Sequence, residues 1–355
     1  MLHPRTFALA LLAGAFGLLA ATMALNFALD PQYVFGTPLT RIDENANYRF
    51  HRVRQYQAQR ERVDGLLFAS SRGKAFDADL VARKIGAGLV AKFDVTAGMI
   101  TDHLPALEYV LRDKAARGEK VRAAILLLDI DTFGKLPATN VNIDSFLPPE
   151  LSREHPARFW WRYLTVFQLR MWRGIIAHRW RGGGQAADAM PPQIDRRRFA
   201  MAGFSGSALR AAAPHVLLAA DDVPAARLLV ATRPNLAAHL AMVARFAALC
   251  RDNGIQLTVA TTPMRLDAAF LYDPADLRDV VERLSQIVPV WDFAAPRWLA
   301  SDIGYWDDSS HFKPIVAGMM LDRISGSNAP ADFGALRSAK AEVSATRHAQ
   351  SQDSR

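Results

Sequence analysis

The chain has 355 residues, of which 50% are hydrophobic and 22% charged, a composition typical of a globular protein with ample core. The formal net charge is +8, but neither zinc-ligand spacing nor an aromatic RNA-binding strand accompanies it, so we expect no nucleic-acid partner. Cys250 is the only cysteine, which excludes an intramolecular disulfide and a cysteine-based metal site.

The first element along the chain is an uncharged apolar segment from Phe7 to Leu29. About 20 apolar residues are enough to span a bilayer, and Arg5 on the N-terminal side favours a cytoplasmic N-terminus with an exported body. The segment predicts a retained signal anchor over residues 1–29. It implies a single pass through a bacterial-type inner membrane and a periplasmic body. A cleaved signal peptide and a buried core helix are the alternatives.

After a lead-in segment, residues 30–62, the chain alternates apolar strands with amphipathic helices. The strands are predicted at "VDGLLFASSR", "GLVAKFDVTAG", "VRAAILLLDI", "QLTVATTP" and "PVWDF". Continuous apolar strands separated by helices predict a three-layer, flavodoxin-like α/β fold with a parallel sheet of about five strands. We place this domain at residues 63–326. The Ala/Ser/Gln/Arg-rich residues 327–355 lack periodicity and predict a disordered tail.

A segment of about a hundred residues, 132–232, interrupts this pattern. Its middle predicts one helix, with an inner face and outward arginines, whose inner residues are Trp160, Leu164, Phe167, Met171 and Ile175. Three interpretations of this largely helical insertion stay open. It is a helix packed on the domain with a solvated arginine face, a membrane-surface helix, or a groove for a glycan or another anionic polymer.

The first candidate site residues are Ser70 and Ser71, in the turn "FASSRG" that follows the first strand. In doubly wound sheets, ligands bind at the carboxyl ends of the strands beside this strand. A serine above a helix N-terminus has backbone N–H donors close by, as a nucleophile in acyl transfer requires. The alternative is that both serines only cap the following helix.

The second candidate stretch is "GYWDDSSHFKP", which follows the fifth strand and therefore lies at the same edge of the predicted sheet. In a helical turn, Asp308 and His311 share one face, so the carboxylate can orient the imidazole while the other ring nitrogen takes a proton from a serine. Asp307, Ser309 and Ser310 are expected to form the turn. A hard-cation site is the alternative, with ligands Asp307, Asp308, His311 and Asp302. We expect no metal and no cofactor.

These two turns together resemble the SGNH (GDSL-like) hydrolase family over roughly residues 63–134 and 233–326. "ASSR" is similar to the Gly-Ser-Ser turn of membrane-anchored, extracytoplasmic members, and "DPQYVFG" and "WDDSSHF" strengthen the comparison. The resemblance implies that Ser71 is the nucleophile, His311 the base and Asp308 the orienting carboxylate. It also implies that Gly98, in "VTAGMITD", donates its backbone N–H to the oxyanion.

The chain departs from the family pattern at several positions. Ala69 and Ser70 replace the usual Gly and Asp of the first turn, and "LLLDIDTFGK" lacks the Asn that completes the oxyanion hole. Asp129 or Asp131 is expected near the site instead, although an ionised carboxylate cannot donate a hydrogen bond. Arg72 is expected either to supply compensating positive charge or to be a solvated arginine at a helix start.

The function that the resemblance implies is an extracytoplasmic serine esterase or O-acyltransferase acting on a cell-surface or exported glycan. Its expected partners are the membrane, a glycan or acyl-carrying substrate, and a membrane-bound acyltransferase. A non-catalytic SGNH-like protein that binds glycan or scaffolds a membrane complex is the alternative.

Overall fold

The structure, a computed structural model, describes residues 4–36, 47–135, 147–180, 229–230, 232–269, 271–294, 297–327, 330 and 332–339. The chain divides into two compact units. The described residues up to Arg54, together with residues 147–180, form the first unit, and the other described residues form the second. Each unit contains a hydrophobic cluster of its own.

The helices and strands alternate along most of the chain. The α-helices are α1 (Pro4–Leu29), α2 (Tyr48–Gln59), α3 (Ala78–Ile85), α4 (Ile100–Ala116), α5 (Pro149–Ser152), α6 (Pro156–Thr165), α7 (Leu169–Trp180), α8 (Leu236–Asp252), α9 (Leu266–Ala269), α10 (Pro274–Ile287), α11 (Arg297–Ser301) and α12 (Pro314–Ile324). The strands are β1 (Gly65–Ala69), β2 (Val90–Asp94), β3 (Ala123–Leu128), β4 (Gln256–Thr261), β5 (Val290–Asp292) and β6 (Ala335–Arg337). Two short 3₁₀ helices cover Ser71–Ala75 and Ile303–Tyr305.

A mixed six-stranded sheet forms the centre of the second unit. Its strand order is β2-β1-β3-β4-β5-β6. Strands β1 to β5 are parallel, and β6 is antiparallel to β5. β1 and β3 are buried at every residue, as their uninterrupted apolar sequences predict. The α/β class is therefore confirmed, whereas the predicted all-parallel sheet of about five strands is corrected to a mixed sheet of six.

The sixth strand lies in the segment for which composition predicts a disordered tail. Ala335 pairs with Asp292, and Arg337 pairs with Val290. Just before the strand, the ring of Phe333 is fully buried and lies 5.0 Å from that of Phe293. A three-residue edge strand is too short to show a periodic sequence pattern, so the sequence gives no sign of it. The buried ring of Phe333 holds this segment in place, although its composition predicts disorder. The predicted boundary at residue 327 is corrected accordingly.

Local sequence signals set the ends of several helices in the second unit. Asp77 accepts a hydrogen bond from the Leu80 N–H at the start of α3, and Gly86 ends that helix with a φ of 69°. A side chain with a Cβ rarely adopts this left-handed conformation, so glycine is favoured there. Pro314 occupies the first turn of α12, where a missing N–H costs nothing.

The first unit contains α1, the one helix among the described residues that is long and apolar enough to cross a membrane. This helix contacts α6 and α7. The sequence predicts one continuous helix here, but the helix breaks between Thr165 and Leu169. The Asn26 amide donates to the carbonyls of Leu164 and Val166, at 2.9 and 2.8 Å, and so satisfies carbonyls at the C-terminal end of α6.

Candidate active site

The turn after β1 carries the predicted serine pair. Ser70 is buried, and its hydroxyl accepts a hydrogen bond from the Arg72 N–H at 3.2 Å, so Ser70 caps the short 3₁₀ helix that begins at Ser71. The capping role is thus confined to the first serine. Ser71 is partly exposed, and its hydroxyl makes a different contact.

The Asp-x-x-His stretch forms a bent loop rather than a helical turn. The Asp308 carboxylate shapes the loop, because its Oδ1 accepts the backbone N–H groups of Ser310 and His311 at 2.7 and 2.8 Å. An antiparallel bridge between Trp306 and Phe312 closes the loop at its base. Both aromatic side chains are buried, so the loop stands on the core while its tip is exposed.

The structure brings the three residues with predicted catalytic roles together. Ser71 Oγ lies 2.9 Å from His311 Nε2, and His311 Nδ1 lies 2.7 Å from Asp308 Oδ2. Since the carboxylate can only accept, Nδ1 carries the proton and Nε2 is the acceptor of the Ser71 hydroxyl. This is the arrangement in which a histidine can take a serine proton while a carboxylate orients the ring.

The Asp308 carboxyl is held in its ionised form although its surroundings partly desolvate it. Partial burial alone would raise its pKa, but the hydrogen bonds from the Ser310 N–H, the His311 ring and the His311 N–H outweigh burial and lower the pKa. The side chains of His311 and Asp308 remain 39% and 55% exposed, so the site is open to water or to the hydroxyl groups of a large molecule.

Arg72 is buried, which contradicts its expected alternative as a solvated arginine at a helix start. Its Nε donates to the Ser310 carbonyl at 2.8 Å, and its Nη1 donates to Asp131 Oδ1 and Thr262 Oγ1 at 2.9 and 2.8 Å. Its Nη2 donates to Asp131 Oδ2 at 3.2 Å and to the Ser310 hydroxyl at 3.5 Å. All five N–H donors of the guanidinium therefore have acceptors, so none is left for an oxyanion.

The two aspartates after β3 are the counter-charges of Arg72. Asp129 lies 3.3 Å and Asp131 2.9 Å from its Nη1. Burial alone would lower the pKa of the Arg72 guanidinium, but the two carboxylates raise it above its usual value. Both aspartates lie near the site, as predicted, and they neutralise the charge of Arg72. The expected compensating charge for an oxyanion is therefore not available from this side chain.

Gly98 occupies the loop after β2, beside the serine turn, but its N–H is engaged. It donates to the Val95 carbonyl at 3.0 Å, which corrects the expectation that this N–H serves an oxyanion. The glycine has a steric role instead. A Cβ at this position would lie 2.6 Å from Val95 Cγ2 and 3.0 Å from the Ala69 carbonyl oxygen. The absence of a side chain allows the loop to approach the residue at the end of β1.

The backbone N–H of Ser71 is the remaining donor candidate at the nucleophile. None of the hydrogen bonds found between described residues uses this group. Next to Gly98, Ala97 has a φ of 51°, a left-handed conformation that costs a residue with a Cβ roughly 1–2 kcal/mol. Backbone strain of this kind is concentrated at functional sites, and here it occurs in the loop that packs against the serine turn.

Thr262 is a site residue that the sequence interpretation missed. Its hydroxyl accepts from Arg72 and donates to Asp129 Oδ1 at 2.7 Å. It follows β4, which pairs with β3, so its neighbours Asp129 and Asp131 come from the adjacent strand end. The sequence "ATTP" at the end of the fourth strand was the available signal, because polar side chains at that sheet edge are candidate site residues.

The hard-cation alternative lacks support from the geometry of the described residues. His, Cys, Asp and Glu side chains form no group of three or more suited to a metal ion within the ranges that the structure describes. Asp302 instead caps the 3₁₀ helix that precedes the loop, where it accepts the Gly304 N–H at 2.9 Å.

Comparison with known proteins adds no assignment to this geometry. No family model matches the chain, and no curated protein matches it.

Proposed function

We propose that the second unit is a serine esterase or O-acyltransferase in which Ser71 is the nucleophile, His311 the base and Asp308 the carboxylate that orients it. The observation that carries the proposal is the pair of contacts at 2.9 and 2.7 Å that links Ser71 Oγ through the His311 ring to Asp308 Oδ2. Ser71 lies 240 residues from His311 in the sequence, and a capping serine with a solvated histidine would not require this alignment.

The chemistry follows from the hydrogen-bond directions. His311 Nε2 takes the proton of the Ser71 hydroxyl as Oγ attacks the carbonyl carbon of an ester, and Asp308 stabilises the imidazolium that forms. The imidazolium then protonates the departing alkoxide, which leaves an acyl group on Ser71. Water or a sugar hydroxyl, deprotonated by His311, attacks this acyl-enzyme and restores the serine. The same residues serve hydrolysis and transfer.

The oxyanion of the tetrahedral intermediate needs donors, and the Ser71 N–H is the candidate that remains. The guanidinium of Arg72 and the N–H of Gly98 are both engaged, as described above. One oxyanion-hole donor is typically responsible for a factor of about 10² to 10³ in kcat. A site that lacks such donors is therefore expected to cleave esters slowly, even those with an activated leaving group.

We also propose membership of the SGNH (GDSL-like) family. The order of the parallel strands, β2-β1-β3-β4-β5, supports a flavodoxin-like core. The serine turn follows β1, the strand beside which the strand order reverses, and ligands bind at that point in such sheets. The apolar helix α1 supports a membrane anchor with a cytoplasmic N-terminus and a periplasmic body. A glycan would then be the acyl acceptor or the deacylated substrate, and a membrane-bound acyltransferase a suitable source of acyl groups.

Labelling with a fluorophosphonate probe tests the serine chemistry directly. The wild-type protein is expected to become covalently labelled, and Ser71→Ala is expected to abolish labelling because it removes the attacking oxygen. Ser70→Ala is the matched control, since its hydroxyl caps the 3₁₀ helix and does not contact His311. An unlabelled wild-type protein that is folded by circular dichroism would contradict the proposal.

A non-catalytic role in glycan binding is the second candidate, and the occupied donors favour it. With Arg72 and Gly98 engaged and no Asn in the stretch "DIDTFGK" directly after β3, oxyanion stabilisation is weaker than an efficient esterase requires. Hydrolysis of p-nitrophenyl acetate separates the two functions. Turnover that Ser71→Ala abolishes supports the enzyme, whereas retained glycan binding without turnover supports the binding role.

A further inference from the structure

A row of large apolar side chains on α6, α7 and their connection is exposed. Trp161, Phe167, Leu169, Ile176 and Trp180 are 57, 60, 49, 40 and 87% exposed, respectively. These five residues make up the hairpin face. Large apolar side chains that stay exposed on two successive helices indicate an interaction surface.

The pattern along α7 separates this face from the packed side of the helix. Leu169, Ile176 and Trp180 stand at positions i, i+7 and i+11 and form one stripe, while Trp172 and Ile175 on another side are buried. Arg170 and Arg173, both exposed, lie beside or within the stripe. Between Pro156 and Trp180 there are five arginines and no acidic residue. Two of these arginines, Arg158 and Arg162, form ion pairs with Glu154 at 3.4 and 2.8 Å, so the cationic part of this aromatic surface lies on α7, at Arg170 and Arg173.

The hairpin face is fixed to the C-terminal end of α1. Asn26, buried in the last turn of that helix, accepts the indole N–H of Trp172 at 2.9 Å. Leu29 packs against Trp172 and Ile175. Just beyond the helix, the Asp30 carboxylate accepts the Tyr163 hydroxyl at 2.8 Å. Hydrogen bonds and apolar contacts thus hold α6 and α7 at one end of the apolar helix.

Helix geometry then gives the depth of these contacts in a bilayer. The hydrocarbon core is about 30 Å thick, and an α-helix rises about 1.5 Å per residue, so roughly 20 residues cross it. Counted from Phe7, the first apolar residue after Arg5, this length ends near Asn26. Asn26 is the residue to which the helical hairpin is bonded. The hairpin therefore lies at the level of the lipid headgroups.

We propose that the hairpin face is embedded in the headgroup region of an anionic bilayer at the C-terminal end of α1; this inference rests on the proposed membrane anchoring by α1. The tryptophan rings lie at the boundary between headgroups and acyl chains, where amphipathic aromatic side chains are most stable. The exposed arginines extend to lipid phosphates while their methylene groups cover apolar surface.

The observations favour lipid over the other occupants that the sequence leaves open. A glycan site would enclose its aromatic rings partly, whereas Trp180 is 87% exposed. A solvated arginine face would not combine its arginines with a stripe of Leu, Ile and Trp. Lipid accounts for three features together: the depth set by α1, the exposed aromatic residues, and the exposed Arg170 and Arg173 beside them on α7.

Spin labels on the full-length protein in vesicles test the proposal. In a Cys250→Ala background, single cysteines replace Phe167, Trp180, Leu12 on α1, or Arg251, which is exposed on α8 and serves as the aqueous reference. The vesicles contain phosphatidylcholine alone or with an equal part of phosphatidylglycerol. Collision of each label with oxygen, which concentrates in lipid, and with a water-soluble nickel chelate measures its depth.

The expected result is a several-fold excess of oxygen over nickel collisions for labels at Phe167 and Trp180 relative to the label at Arg251, with Leu12 deeper still. The excess should increase with phosphatidylglycerol, and Arg170→Gln with Arg173→Gln should remove that increase. Labels at Phe167 and Trp180 that collide with nickel as often as the one at Arg251, while Leu12 is in lipid, would overturn this inference and leave the anchor intact.

Two further outcomes also contradict the proposal. Labels at Phe167 and Trp180 that are shielded from both reagents would mean that protein, such as a second copy of the chain, covers the face. A label at Leu12 that is accessible to nickel would overturn the anchor and the hairpin inference together. Fluorophosphonate labelling of Ser71 is measured on the same samples, so loss of the proposed enzyme activity is scored separately.

Discussion

At the scale of single residues, one carboxylate determines both the shape of the loop and the tautomer of His311. Asp308 uses Oδ1 for the backbone N–H groups of Ser310 and His311 and Oδ2 for the imidazole. The loop conformation and the histidine tautomer are therefore set by the same group. Substitution of this residue tests the proposed mechanism without removing the nucleophile.

Asp308→Asn is expected to lower kcat by roughly 10² to 10⁴, because an amide can donate to Nδ1 and so favour the wrong tautomer.

The pKa of Asp308 is lowered in the folded state, so its contribution to stability is present above the unfolded pKa and is lost as pH falls through the folded value. The stability difference between wild type and Asp308→Asn should therefore be seen at pH 7 and disappear in strong acid. Urea unfolding in detergent at both pH values, with ester turnover, checks this. A difference that grows in acid would contradict it.

Gly98→Ala tests the close approach of the loop after β2 to the serine turn. The added Cβ would lie 2.6 Å from Val95 Cγ2 and 3.0 Å from two carbonyl oxygens, so the loop must move. Overpacking of this kind typically costs about 1–3 kcal/mol. Gly318→Ala is the matched control, because nothing lies within 4 Å of its added Cβ on α12. There the same change is expected to stabilise by about 0.5–1 kcal/mol. Thermal unfolding of both variants should show opposite signs.

At the scale of elements, Arg72 is the connection between the serine turn and the other strand ends. It contacts Asp131 after β3, Thr262 after β4 and Ser310 in the Asp308–His311 loop. Because Ser310 lies between Asp308 and His311 in the chain, Arg72 holds His311 at a fixed distance from Ser71 beside it. It is a positioning residue, and its effect on the reaction is expected to act through His311.

Arg72→Lys is expected to lower kcat about tenfold with little change in KM, since an ammonium cannot reproduce the bidentate contact with Asp131 and the bond to Ser310 together. Arg72→Met leaves two partly buried carboxylates without a counter-charge and should cost about 3 kcal/mol in unfolding free energy. Arg122→Lys is the control, because among the described residues that exposed side chain donates to the Gly86 carbonyl alone. Rates are expressed per fluorophosphonate-reactive site. An unchanged kcat per site for Arg72→Lys would assign Arg72 a purely structural role.

The elements also show which parts of the molecule can be predicted from sequence. β1 and β3 are continuous apolar runs, so they can be recognised as buried strands from the sequence. β6 has three residues and depends on the burial of Phe333 nearby, so it cannot. The Ser71 and His311 turns could be paired because parallel strands place their carboxyl ends at one edge. The burial of Arg72 could not be predicted, because it depends on which strand ends are neighbours. The occupied N–H of Gly98 likewise depends on local backbone dihedral angles.

At the scale of the whole molecule, the proposed topology places the N-terminus in the cytoplasm and the second unit in the periplasm. The single cysteine gives this topology a sensitive test. Cys250 is buried on α8, and burial raises the pKa of its thiol to about 12, so the reactive thiolate is scarce at neutral pH. The native chain is therefore expected to remain unmodified by a membrane-impermeant maleimide.

The neighbouring side chain of Arg251 is 74% exposed, so Cys250→Ala with Arg251→Cys moves the thiol by one residue from the core to the surface. In bacterial spheroplasts, this variant is expected to react with the impermeant maleimide without lysis, while the wild-type chain stays unlabelled. A cysteine at Thr6, which leaves Arg5 in place on the opposite side of α1, should react only after lysis, because the positive flank is retained in the cytoplasm. Labelling of the Thr6 site in intact spheroplasts, or of the Arg251 site only after lysis, would reverse the topology and place the serine site in the cytoplasm.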